Sequence, residues 1–279
     1  MLGIVIVYYN QPQLIRQTIK LLAEDESIPE HRIVVVDNNS DLPCPRDLAS
    51  TTVKIHRASI NGGYAFAVNT GIEYLLETTP TEIDTILVAT HEVLFAPNCV
   101  SELYTALQFL PSHCVVGPAM HEGHLDGPIW SFGGYFTRAG RALHSSVDEG
   151  SATVPAAWID GAAMMFSLES WRQVGGLDEG YFLYFEEIDF CQRLASIGGT
   201  VSCIGSARAA QSMGDQTPRL KFRNGIYYHW RWSRRRTLLT WIAAETVRLI
   251  IRHPSRVAQA LDGARLGLDW VKNAKGGQL

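Results

Sequence analysis

The sequence contains no apolar run of the roughly 18 residues that a membrane-spanning helix needs. Its most apolar late stretch, residues 238–251, is interrupted by Glu245 and Arg248 and cannot cross a bilayer. Leu2 to Val7 is apolar, but Tyr8-Tyr9-Asn10 ends that run and no basic residue precedes it, so a secretory signal is not expected. Cysteine is sparse. Cys44, Cys99, Cys114, Cys191 and Cys203 are odd in number with no close pair, which argues against a disulfide framework or a zinc site and for a reducing compartment. Neither a P-loop nor a dinucleotide glycine fingerprint is present, and there is no internal repeat or low-complexity linker.

What is present is ordinary for a globular chain: 279 residues, 46% hydrophobic and 19% charged, enough for one large α/β domain with an appendage. The net charge is only -4, but it is unevenly spread. Between Asp215 and Arg256 stand Arg219, Lys221, Arg223, Arg231, Arg234, Arg235, Arg236, Arg248, Arg252 and Arg256, against Asp215 and Glu245 alone. Such a surplus fits phosphate, anionic lipid or nucleic acid, or simply a solvated helix face.

Short β-branched runs alternate with helical patterns over about the first 210 residues, which indicates an α/β domain with a mainly parallel sheet. Strands are expected at 3–7, 32–36, 53–56, 85–89, 114–118 and 158–166, and helices over 14–22, 100–110, 168–174 and 189–197, with a further helix opening near 61–71. Residues 121–155 read as hairpin or loop. Polar groups follow the second strand, at Asp37-Asn38-Asn39-Ser40, and the fourth, at Thr90-His91-Glu92. Open α/β sheets bind ligands at that carboxyl edge, although Asp-Asn also serves as a plain turn. Beyond Asp215 long helices with approximate apolar stripes form a C-terminal appendage, so the expected division is 1–215 and 216–279. Packing on the main domain is the expected role of most of those apolar positions, with an interfacial amphipathic helix as the alternative.

One knot of acids stands out. Gly175-Gly176 leads through an aromatic run to Glu186, Glu187 and Asp189. Carboxylates so crowded are costly to bury unless paired, metal-bound or used as a base; otherwise they are helix N-terminal acids favoured by the dipole.

Four segments carry a family resemblance: Ile4 to Asn10, Val34 to Ser40, Asn61-Gly62-Gly63-Tyr64 to Gly71, and Gly175 through Asp189. In this order they resemble the inverting glycosyltransferases of family 2, rhamnosyltransferase-like branch, over about residues 2–225. The resemblance implies a GT-A (Rossmann-like) fold, a nucleotide-diphosphate-sugar donor, and a hydroxyl acceptor that is a glycan, a lipid-linked species or a small molecule, with no nucleic acid partner. It puts the general base at Glu187, with Glu186 and Asp189 orienting it or the acceptor. Donor-side candidates are Tyr8, Asn10, Asp37, Asn61, Gly62, Asn69, Thr90, His91, Glu92 and Arg223. Acceptor-side candidates are Trp158, Asp160, Gly161 and Tyr184; the rings of Trp158 and Tyr184 could stack on a sugar, although large aromatics are more often core. A cytoplasmic place is expected, with peripheral contact at the inner membrane face or a homo-oligomer through 216–279.

The chain departs from the family where a divalent cation, Mg or Mn, meets the donor. The usual Asp-x-Asp is Thr90-His91-Glu92 here, which leaves Glu92 as the metal candidate, and a frequent histidine falls at Gln211. Arginines can stabilise a leaving diphosphate instead, with Arg208, Arg219, Arg223 and the run Arg234 to Arg236 as candidates. Weak or absent metal dependence is therefore expected. The alternatives are a catalytically silent relative that binds nucleotide sugar or a partner, and a nucleotidyltransferase, which would need a basic phosphate loop that Leu2 to Pro12 lacks.

Overall fold

Val, Ile and Leu fill the strands because each lies between two layers of the fold. In the computed structural model, which describes all residues but 80, 81, 213, 215, 216, 234 and 277–279 and only the backbone of 275 and 276, the chain begins β1 (Leu2–Tyr8), α1 (Pro12–Glu24), β2 (His31–Asp37), β3 (Val53–Arg57), α2 (Tyr64–Thr78), β4 (Thr85–Thr90), β5 (Leu94–Phe95) and α3 (Cys99–Phe109). It continues with β6 (Cys114–Glu122), β7 (Ile129–Ser131), β8 (Gly134–Phe136), β9 (Ala142–His144), β10 (Thr153–Pro155), β11 (Ala163–Ser167), α4 (Leu168–Val174), α5 (Glu186–Ser196) and β12 (Thr200–Gln211). Three helices close it: α6 (Pro218–Trp232), α7 (Arg235–Arg252) and α8 (Val257–Gly276).

The main sheet has the order β10-β12-β6-β11-β4-β1-β2-β3, with β5 on β12 and β7 on β6, and β8-β9 form a separate two-stranded ribbon. β3, β2, β1 and β4 are parallel neighbours. β11 runs against both β4 and β6, and β12 is parallel to β6. Among these seven central strands β11 alone is reversed, so the sheet is mixed and mostly parallel, flanked by helices. Register matters for function: Tyr8 lies opposite Asp37, and Val7 opposite Thr90. Three residues singled out by sequence thus share one carboxyl edge.

Two expectations need correction. The strand expected over 158–166 begins only at Ala163, because Asp160 Oδ1 accepts the Ala162 N–H at 2.8 Å and turns the chain; an Asx turn competes with the ladder for the same donors. The helix expected from Asp189 begins at Glu186, which puts all three acids in its first turn.

The structure divides into two units, residues 1–135, 144–182 and 186–213, and residues 136–143, 183–185 and 214–279. The junction expected between residues 215 and 216 lies outside the described residues. In the second unit Tyr227 stacks on Trp270 with 3.6 Å between ring centroids, and Trp241, Tyr228 and Phe222 are buried. α8 comes so close to α6 that a Cβ at Gly263 would stand 2.1 Å from the Arg219 carbonyl oxygen. The apolar positions there do not all pack: Val247, Ile250, Leu261 and Leu268 are exposed.

Candidate active site

At the carboxyl edge the first cluster is built by the loop after β2. Asp37 is buried, and its carboxylate accepts the N–H of Ser40 at 2.9 Å and of Cys44 at 3.0 Å and the Arg57 guanidinium at 2.8 Å. An anion held by two amides and a cation is stable in a buried place. Tyr8 donates its hydroxyl to the Leu42 carbonyl at 2.6 Å, and Asn10 Oδ1 accepts the Leu42 N–H at 2.8 Å. Burial, then Cys44 and Asp37, push the Tyr8 phenol above its ordinary value. Tyr8, Asn10 and Asp37 are therefore brought together around the loop 37–44. Arg57 completes this set and was not legible as a partner, since it lies one strand away.

Asn38, buried and also unselected, holds the next loop. Its Nδ2 donates to Asn61 Oδ1 at 3.0 Å and to the Gly63 carbonyl at 3.1 Å, and Asn61 Oδ1 in turn accepts the Gly63 N–H at 3.1 Å. The Asn61-Gly62-Gly63 turn so formed presents Tyr64 at the start of α2. Gly63 has φ 89 and ψ -177, a region open essentially to glycine alone.

Asn69, expected on the donor side, bonds within the protein. Its Nδ2 donates to the Leu177 carbonyl and to Glu179 Oε1, each at 2.9 Å, while its Oδ1 accepts from the Leu177 N–H at 3.0 Å and the Trp171 indole at 3.3 Å. All four bonding positions are engaged, so Asn69 pins the segment leading to the acids. Asn69→Leu is expected to lower stability by about 2–4 kcal/mol, since it strands buried partners, and to leave nucleotide-sugar affinity unchanged. Thermal melts beside a titration check this; a tenfold weaker Kd with an unchanged melting temperature would restore the donor contact.

The second cluster joins residues far apart in sequence. Gln211 Nε2 donates to Thr90 Oγ1 at 3.3 Å and to Glu92 Oε1 at 2.5 Å. His91 is buried, its Nδ1 3.1 Å from the Val7 carbonyl, and its Nε2 has no hydrogen-bond partner among the described residues. Burial holds its imidazole below the ordinary value against the opposing pull of Glu92. The neutral ring thus donates from Nδ1 and keeps a bare lone pair on Nε2. No group of three or more His, Cys, Asp or Glu able to hold a metal occurs among the described residues.

The third cluster surrounds Glu187. Glu186 is buried and Glu187 half-buried in the first turn of α5. A Cβ at Gly161 would stand 3.5 Å from Glu187 Cβ, and the Gly161 carbonyl accepts the Tyr64 hydroxyl. Burial first, then Glu186 and Asp160, push the Glu187 carboxyl well above the usual carboxylate range; like charges and lost water both disfavour ionisation. Asp160, Gly161, Glu186 and Glu187 are thus brought together, with Tyr64 as the member missed, although it stood beside the glycine pair in the sequence. His144 Nε2 approaches Asp160 at 3.9 Å and packs against Trp158.

Other candidates are placed elsewhere. Asp189 is fully buried, paired with Arg193 Nε at 2.7 Å and accepting the Tyr181 hydroxyl at 3.3 Å; it anchors α5. Trp158 is buried under Gly134. Arg208 bonds Asp148 and His121, and Arg219 pairs with Asp262. Arg223, which lies over the Trp270 ring at 4.7 Å, and Tyr184 belong to the second unit. Arg234 lies outside the described residues.

Residues 183–185, immediately before the acids, also group with the second unit. Phe182, Tyr184 and Phe185 hold φ of 66, 73 and 78, a cost of order 1–3 kcal/mol each for L residues. Asn224, fully buried on α6, donates both amide hydrogens at 2.8 Å, to the Leu183 and Tyr184 carbonyls, and Phe185 packs on Tyr228 with centroids 5.5 Å apart. Two hydrogen bonds at about 1 kcal/mol each and roughly 2 kcal/mol for the buried ring are of the same order as the strain.

The sheet is mostly parallel and carries polar clusters along its carboxyl edge, an arrangement in which open α/β proteins bind ligands, and the likeness to solved glycosyltransferases makes the fold GT-A. The family model for glycosyl transferase family 2 matches residues 3–154, and the chain belongs to that family. It is 25% identical over 218 residues to an N-acetylglucosaminyl-diphospho-decaprenol L-rhamnosyltransferase of Mycobacterium tuberculosis, which covers 67% of this chain and 68% of that one. It is 27% identical over 194 residues to a low-salt glycan biosynthesis hexosyltransferase of Haloferax volcanii, covering 69% of this chain and 61% of the relative. Among solved structures, GalNAc-T7 with UDP, GalNAc and Mn²⁺ superposes with a TM-score of 0.65 at 13% identity, over 88% of this chain and 50% of that one. The mannosyltransferase PcManGT from Pyrobaculum calidifontis with GDP-Man and Mn²⁺ gives 0.60 at 14% identity, over 100% of this chain and 76% of that one. The chain thus spans half the length of GalNAc-T7, and these two likenesses concern the fold.

Proposed function

We propose that this glycosyltransferase inverts the sugar it transfers, with Glu187 as general base. The observation that carries the reading is the Glu187 carboxyl, raised well above the usual range beside Glu186 and Asp160. An alcohol attacks poorly unless its proton leaves in the transition state, and a base whose pKa lies toward the working pH serves best. The acceptor oxygen bonds to the anomeric carbon as the bond to the diphosphate oxygen breaks on the opposite face, and the hydroxyl proton passes to Glu187. Tyr64 and Gly161 fix the wall beside the base. Tyr8, Asn10 and Asp37 form the donor edge, and the acceptor is a hydroxyl of a glycan or lipid-linked glycan.

For a divalent cation, Glu92 is the one carboxylate of the second cluster, and Gln211 already donates to it. This set fits an Mg²⁺ or Mn²⁺ ion that arrives with the donor diphosphate and keeps waters, rather than one held by the protein alone. When bound, such an ion supplies charge stabilisation of the leaving diphosphate. A binding-only relative is the second reading, favoured by the Thr90 and Gln211 replacements, although the crowded base counts against it.

Incubation with a panel of nucleotide sugars and glycan acceptors, followed by NMR of the product's anomeric configuration, tests the proposal. Inversion is expected, with less than roughly tenfold loss under excess chelator. Retention would sink the single displacement. Activity abolished by chelator and restored by Mn²⁺ would replace the loosely held ion by a required one.

A further inference from the structure

α7 is apolar on two opposite faces. Trp241, Glu245 and Leu249, four residues apart, are its buried side. On the other side Leu239, Ala243, Val247, Ile250 and Ile251 follow at steps of four, four, three and one, which keeps them on one strip of a 3.6-residue helix. They are exposed, Leu239 to 59%, Val247 to 56%, Ile250 to 51% and Ile251 to 74%. At 1.5 Å per residue the strip is about 18 Å long. An ordinary surface helix carries polar residues there.

The charges around the strip have one sign. Arg235 and Arg236 are exposed at the first turn of the helix, Arg236 in line with the strip and Arg235 on its flank. The helix's one acid, Glu245, is buried and held by Arg141 at 2.7 Å and Lys221 at 2.9 Å. Two arginines in the first turn oppose the helix dipole and weaken the helix itself, so helix stability does not account for them. A second copy of the chain docking by this face would set arginines against arginines with no exposed acid on either helix. An anionic surface meets both the strip and its charges.

We propose that α7 is a bilayer-docking helix that lies in the interfacial layer of an anionic membrane, with Leu239, Val247, Ile250 and Ile251 among the acyl chains and Arg235 and Arg236 at the lipid phosphates. No helix among the described residues is long and apolar enough to cross a membrane; α7 lies on the surface, where apolar burial and attraction to anionic headgroups act together. This surface goes beyond the transfer reaction and does not depend on the identity of its base.

Co-sedimentation of the full chain with phosphatidylcholine vesicles containing about one-third phosphatidylglycerol tests it. The wild type is expected to pellet at low salt and to be released at high salt. The Val247→Glu/Ile250→Glu/Ile251→Glu and Arg235→Glu/Arg236→Glu variants are each expected to bind at least roughly tenfold more weakly, with unchanged helix content by circular dichroism, since all five positions are exposed. Equal binding by the variants, equal binding to pure phosphatidylcholine, or no binding by the wild type would overturn the proposal. So would a wild-type dimer in light scattering that the triple variant breaks, which would assign the strip to a second copy.

Discussion

Replacing Glu187 by Gln is expected to lower kcat by roughly 10²- to 10⁴-fold, the usual contribution of a positioned base, while leaving the Kd for the nucleotide sugar unchanged. The amide keeps the shape of the carboxyl but cannot accept a proton. The pH profile supplies an independent check. Burial, Glu186 and Asp160 hold the Glu187 carboxyl above the usual range, so kcat of the wild type should rise with pH through a value above that of an ordinary carboxylate. Glu186→Gln removes one like charge and should move that limb to lower pH. The stability linkage has a definite sign. A carboxyl raised in the folded state favours folding at pH below its unfolded value, and that contribution is lost as pH rises through the folded value. Glu187→Gln should therefore melt higher than the wild type at neutral pH even as it loses activity. Transfer that survives in the Gln variant, or a limb at the ordinary carboxylate value, would exclude Glu187 as the base.

Gly63→Ala is expected to be strongly damaging, both to stability and to activity. The residue sits at φ 89, and an added Cβ would lie 2.1 Å from the Phe182 carbonyl oxygen and 2.6 Å from Phe182 Cα. Both obstacles are backbone and cannot rotate away. The same carbonyl accepts the Tyr64 N–H at 2.6 Å, so relief of the clash breaks the start of α2 from residue 182. Strain and displacement together suggest about 3–5 kcal/mol, or about 10 °C in melting temperature. If residue 182 yields instead, the melting temperature is partly kept and kcat falls, because Glu187 lies five residues further on. A variant with wild-type melting and wild-type kcat would show that the contact has no importance.

Much of this could be read from residue patterns. The β-branched runs before Tyr8, Asp37 and Thr90 announced buried parallel strands, and the polar residues after them marked the edge where they now stand side by side. The pairing of Gln211 with Thr90 and Glu92 was approached through the family pattern. It was not visible in local sequence, because the residues are separated by more than a hundred positions. β12 was poorly marked: Ser202, Gly205, Ser206, Ala207 and Ala209 give little β-branched signal, and its register shifts between Ile204 and Arg208. Asn69 is a donor candidate through the family pattern alone; its bonds to Leu177, Glu179 and Trp171 join residues more than a hundred positions away and leave no local trace in the sequence. Val247 and Ile250 likewise read as packing residues, since hydrophobicity reports a preference for leaving water and not the partner that removes it.

For anyone re-engineering this enzyme, Phe182, Tyr184 and Phe185 form a trap. Scored by backbone preference they are three mistakes in four positions, and glycine or asparagine at Tyr184 would relax the backbone at once. A thermostabilisation campaign run on such scores would therefore select the loosening of the residues that lead into Glu187, just as it would select Glu187→Gln. Both selections would deliver sturdier and idle proteins, so libraries aimed at robustness should hold residues 182–187 fixed and vary the scaffold elsewhere.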